Sequence, residues 1–154
     1  MNDKQDNTVN AIALRYSEKF APPEGTIQAH IEVLKKNGYV WYGKIGKTIG
    51  DKAIRTLLSN ETPRILLIDS GKTDRYWAKI TEVKKEMPEC KTFPKYYGQN
   101  LENFKIWFKI VDIQKAQSDV LAHCVVASSG AVLSLASKQS MSPFFMINVE
   151  EQYI

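Results

Sequence analysis

Two tripeptides, Gly46-Lys47-Thr48 and Gly71-Lys72-Thr73, carry the residue types that end a phosphate-binding loop. Such a loop needs another glycine five residues earlier, so that successive backbone N–H groups can wrap the phosphates. Those positions hold Trp41 and Leu66. Gly71 also falls in a turn followed by a strand pattern rather than a helix, so nucleotide hydrolysis by this route is excluded. Cys124, Ser128 or Ser129 can be paired on paper with His30 or His123, but no nucleophile elbow surrounds any of them. His123 and Cys124 are adjacent, and on a strand their side chains would point to opposite sides. Both histidines therefore read as structural or surface residues, and Cys90 and Cys124 as free thiols. No His, Cys and carboxylate group has metal-ligand spacing, and no carboxylate pair stands out. The expectation is no catalytic residue, no metal and no cofactor.

The aromatic residues say more. Trp41, Tyr42, Tyr76, Trp77, Tyr96, Tyr97 and Trp107 all fall in the middle of the chain, where the positive charge also lies. Residues 35–64 hold seven lysines and arginines against two acidic residues, a net +5, and residues 65–109 add nine against six, a net +3. The segments 1–34 and 110–154 each come to −2, leaving +4 overall. Aromatic planes stack on bases for about 1–3 kcal/mol each while lysines hold phosphates. Trp77 shares a strand face with Lys79, and Trp107 with Lys105 and Lys109, a mixture that suits a partly open surface. Some of these rings must instead fill the core, as large aromatics do.

The elements that would position these residues follow from local pattern. The polar segment 1–10 lacks periodicity and reads as a disordered terminus, leaving one domain over residues 11–154. "AIALRYS" reads as a short strand and "TIQAHIEVLKKNG" as a helix with Thr26 as its cap and Gly38 as its stop. "YVWYGKIG" is a strand, "DKAIRTLLSN" a helix, and "RILLIDS" a buried strand by its continuous apolar run. The alternation from Tyr76 to Val83 makes a hairpin with that strand. "KKEMPECKTFPKYYGQN" is long enough for a functional loop. Beyond it come the strand "NFKIWFKIVDI", a turn at "SDVLAH", the short strand "CVVAS", a helix in "GAVLSLASKQ" and a last strand, "PFFMINV". Strands dominate without regular βαβ alternation, so the fold class is α+β, a compact curved or barrel-like mixed sheet with short flanking helices.

Hydrophobic residues make up 44% and charged residues 25% of the 154 residues, ordinary for a soluble domain. No apolar run reaches the roughly 20 residues of a membrane span, and "MNDKQDNTVN" has no signal-peptide core. A cytoplasmic location is expected.

The order strand, helix, "RILLIDSGKTDRYWAKITEV", loop, "WFKIVDI", "VLAHCVVASSG", helix, "SMSPFFMI" resembles the PUA-like superfamily, especially its EVE and YTH-like branches, over about Tyr39 to Val149. The resemblance implies a barrel-like sheet whose pocket accepts a modified base flipped from DNA or RNA. It would place Trp41, Tyr42 and the following "GKIGKT" on one wall, Trp77 as a stacking residue, Asp69 or Ser70 at the base edge, and Ser128 and Ser129 opposite. The ASCH-type G-x-K-x-x-E-x-R motif is absent, so ribonuclease activity of that kind is not implied. With no nuclease or NTPase fused to it, the chain would need a separate effector protein for any restriction role.

The resulting expectation is a non-enzymatic nucleic-acid-binding module for DNA or RNA carrying a modified base. Lys44, Lys47, Lys72, Arg75 and Lys79 would hold the adjoining phosphates. Two alternatives remain open: a binder or hydrolase of a free nucleotide or nucleoside, and an anti-defence or toxin-neutralising factor that docks on a protein through Phe93–Gly98.

Overall fold

The computed structural model describes residues 8–69 and 71–154. One sheet of seven strands organises them: β1 (Thr8–Arg15), β2 (Val40–Ile45), β3 (Arg64–Ile68), β4 (Tyr76–Lys84), β5 (Phe104–Lys115), β6 (Cys124–Val126) and β7 (Phe144–Glu150). Their order across the sheet is β2-β5-β4-β3-β1-β7-β6. Only β1 and β3 run parallel; every other pairing is antiparallel. β1 begins at Thr8, three residues before the expected domain start at residue 11.

The central strands β1 and β3 are buried on both faces, which explains why "RILLI" reads as an unbroken apolar run. On one face, Ile12, Leu14, Ile65, Leu67, Phe108 and Ile110 pack under the helices α1 (Thr26–Asn37) and α2 (Asp51–Leu58), which contribute residues such as Val33, Leu34 and Ile54. On the other face, Ala13, Leu66, Ile68, Trp77 and Phe145 pack with Val120, Leu121 and Leu133, the last from the short helix α3 (Leu133–Gln139). A third cluster behind β2 and β5 holds Trp41, Tyr97 and Trp107.

The sheet curls. Tyr42 on the edge strand β2 and Tyr16 just after β1 share one apolar cluster although three strands separate β2 from β1 in the pairing order. Lys44 of β2 even reaches the Phe144 ring on β7, with Nζ 5.4 Å from its centroid. Among the described residues no ladder joins β2 to β1, β7 or β6, so the curl stops short of a closed barrel and leaves a seam.

Two local expectations need correction. Thr26 is the first helical residue rather than the cap. Its hydroxyl donates to the Ser17 carbonyl (2.9 Å), and the helix start is satisfied by Glu18, whose Oε1 accepts from the Thr26 N–H (2.7 Å). In β4 the even alternation fails between Ile80 and Glu82, where the register against β5 shifts by one residue. An extra residue flips the facing of all that follow, so Trp77 and Val83 pack on different faces.

Candidate functional site

The seam contains a cavity of about 150 Å³. Tyr42, Gly43, Lys44 and Ile45 of β2 form one wall, and Arg15, Tyr16 and Ser17 at the end of β1 face them. Tyr96, Tyr97, Asn100 and Phe104 close it from the long loop and the start of β5, and Phe20 and Pro143 sit at its rim. Phe20 and Ile45 are both more than two-fifths exposed, at 45% and 43%, so the mouth presents apolar surface to solvent.

The long loop earns its length by covering the open edge of β2. The Trp41 N–H donates to the Thr92 carbonyl (2.8 Å), and the Gly43 N–H donates to the Tyr97 hydroxyl (3.1 Å). These bonds satisfy edge donors that would otherwise be open to another chain. Phe104 lies against the strand here because residue 43 is glycine: a Cβ there would lie 2.6 Å from Cδ1 of Phe104, whose ring centroid is 4.5 Å from that of Tyr97.

Beneath the cavity floor runs a directed chain of hydrogen bonds. The Gly43 N–H can only donate, so Tyr97 Oη accepts it and turns its own O–H toward His30 Nε2 (2.6 Å). His30 Nδ1 lies 2.8 Å from the Thr26 carbonyl, which can only accept, so Nδ1 carries the proton. The imidazole is fully enclosed and neutral, with burial pushing its pKa down to about 4. Burial pushes the Tyr16, Tyr42 and Tyr96 hydroxyls up, so all three remain O–H groups. Burial, followed by the charge of Lys47, pushes the Lys44 amine down.

The residues expected to bind a base are distributed unevenly. Tyr42 lines the cavity, but Trp41, on the alternate face of β2, is buried with Trp107. Trp77 is 5% exposed, lies in the cluster under α3, and donates its indole N–H to the Tyr153 carbonyl (2.7 Å), so it has no open plane for a base in the seam. Asp69 borders a different hollow and accepts from the Gly71 N–H (2.9 Å). Ser128 and Ser129 are exposed in the turn after β6, where Ser129 Oγ accepts from the Ala131 N–H. Ser70 lies outside the described residues.

The expected phosphate ligands separate as well. Lys44 lines the cavity, and its ammonium donates to the Lys47 carbonyl. Lys72 is paired with Glu18, Arg75 borders the hollow with Asp69, and Lys79 lies beside Trp77 and Lys115. Ion pairs from Lys85 to Asp51 and from Lys115 to Asp74 further divide the basic middle, which forms no single face. The sequence reading missed Tyr16, Phe20 and Phe104; the signal was the aromatic pair bracketing "SEK" before the prolines, an exposed setting for Phe20. Cys124 is buried with its thiol pushed up to about 12 by desolvation, and His123 is held by Glu150 (2.8 Å) and stacked on Tyr153, so no nucleophile–histidine dyad forms there. No group of three metal-ligating side chains converges among the described residues.

A curled mixed sheet with short flanking helices is the fold class the sequence pattern implied, and the model of the Pua-like family matches residues 12–142. The chain belongs to the Pua-like family. Membership of this family points to nucleic-acid binding in general. No curated protein and no solved structure matches the Pua-like chain. No helix among its described residues is long and apolar enough to cross a membrane.

Proposed function

We propose that the seam cavity receives one base of a DNA or RNA strand, a modified base as in the EVE and YTH-like branches, and that the domain acts as a non-enzymatic reader. The observation that carries this reading is the wall chemistry. Tyr16, Tyr42, Tyr96 and Phe104 supply aromatic surface around a pocket that opens at an exposed aromatic, Phe20. A flat ring leaving the stack can be held between such planes. Lys19, whose Nζ lies 5.3 Å from the ring of the exposed wall residue Phe20, and Lys47, exposed two residues beyond the wall residue Ile45, would meet the strand backbone as it passes the mouth.

The aromatic loop supports this reading better than it supports protein docking. Tyr97 is buried and Phe93 packs on both Tyr97 and Trp107, so their rings stabilise the fold rather than project from it. The test is a titration of the intact protein against short DNA and RNA strands carrying single modified bases, at low and physiological salt. Selective binding that weakens with salt is expected, because each neutralised phosphate releases counterions. Salt-insensitive binding of a free nucleoside would favour the small-ligand alternative, and absence of binding to every strand refutes the reader.

A further inference from the structure

Lys44 is the one lysine buried among the described residues, 6% exposed, and nothing acidic accompanies it. Alternation along β2 turns it to the same side as Val40 and Tyr42, into the curl of the sheet. Among the described residues no carboxylate lies within ion-pair distance of its Nζ, and no Asp or Glu lines the cavity. Its contacts are the Lys47 carbonyl and the Phe144 ring, 5.4 Å from Nζ to the centroid. A buried ammonium without a counter-charge destabilises a fold. An ammonium has three N–H donors, and one carbonyl accounts for one of them.

Resting on the reading of the cavity as a base site, we infer that Lys44 selects the class of base: one that presents an oxo, hydrogen-bond-accepting edge. A lysine donates well to guanine O6 and N7 and to the O4 of uracil or thymine. Adenine and cytosine place an amino donor at the corresponding position, which sets donor against donor. A base carrying a fixed positive charge through methylation is excluded for the same reason, since the pocket offers a cation and no carboxylate to meet it. The arrangement thus differs from an aromatic cage for cations, which has no buried lysine in its wall.

The experiment uses short strands in which every position but the central one is abasic, so that only one base is available to the pocket. Fluorescence anisotropy at fixed salt compares central guanine, uracil, adenine and cytosine, with wild type, Lys44→Met and Lys44→Gln. Wild type is expected to favour guanine and uracil by about tenfold or more, and both variants to bind all four strands about equally while melting no lower than wild type. The glutamine variant tests the charge should the methionine variant fold poorly. Wild-type binding without an oxo preference, or a preference that survives in a folded variant, overturns the role of Lys44 and leaves the base site standing. Failure of wild type to bind any of the four strands, together with failure of base-containing strands, refutes the base site and this inference with it.

Discussion

Acidification should destabilise this domain through one residue, His30. Its folded pKa is depressed to about 4 by complete burial, against an ordinary value of 6.5. Between those values the unfolded chain binds a proton that the folded chain excludes, so stability is fully present above pH 6.5 and is lost as pH falls toward 4. The structure shows why the proton is refused: Nδ1–H is committed to the Thr26 carbonyl and Nε2 accepts from Tyr97, so a second ring proton would meet a donor. The full shift corresponds to about 3 kcal/mol, of which about 2 kcal/mol is lost between pH 7.5 and 5. Staying at or above pH 5 keeps the carboxylates out of the measurement. His123 works in the opposite direction. Its bond to Glu150 raises its pKa, so its contribution is present at low pH and fades as pH rises. The assay is urea unfolding of a His123→Gln variant at steps from pH 7.5 to 5, with His30 followed by imidazole NMR. A flat stability profile over this range, or a His30 that titrates at or above 6.5, refutes the reasoning.

Trp77→Ala should behave as a core mutation, not a binding mutation: removal of a buried indole bonded to Tyr153 costs about 3–5 kcal/mol, read as a large drop in urea midpoint. Retention of wild-type stability with lost base preference would instead restore Trp77 to the site. Gly43→Ala places a Cβ 2.6 Å from the Phe104 ring; the resulting strain should cost about 1–3 kcal/mol and displace a pocket wall, seen as a lower melting temperature and weaker strand binding together. Lys47→Ala should leave melting unchanged and reduce the slope of log K against log salt for single strands by about 0.7, one phosphate contact.

The order of elements was legible in the sequence because each carried a strong local signal. The capping glycine at 38, the apolar run Ile65–Ile68 and the alternation in Phe104–Ile110 all lie where the expected helix and strands are found. The site was legible only in part. The resemblance put Tyr42 in the pocket wall, and Lys44, expected as a phosphate ligand, lines the same cavity because it lies two residues on along one strand, where period two keeps such a pair on one face. Trp77 was misplaced because alternation says that a strand has two faces but not which one meets the seam; here it lies under α3. The basic middle failed as a guide for a related reason. Proximity in sequence does not fix direction in space, and Lys72 and Lys85 each found a carboxylate from another element. Tyr16 comes to line one cavity with Tyr42 and Tyr96 only because the sheet curls, a long-range consequence with no local trace.

The seam itself explains why the cavity and a buried polar network lie side by side. A closed barrel satisfies every strand edge by pairing, but closure here would fill the space between β2 and β1 that forms the cavity. Leaving it open exposes the donors of β2, and the chain answers with a loop rather than a strand: Thr92 takes the Trp41 N–H and Tyr97 takes that of Gly43. A hydroxyl that accepts from the backbone must pass its own proton onward, and in a water-poor interior the acceptor it finds is His30, locked in turn by Thr26 and, through that residue's N–H, by Glu18. The neutral buried histidine is thus a consequence of holding an edge open. A ligand entering the cavity would rest on a wall whose Gly43 N–H is held by the Tyr97 side chain, and disruption of His30 should therefore be felt as a loosened pocket before it is felt in the distant core around Trp77.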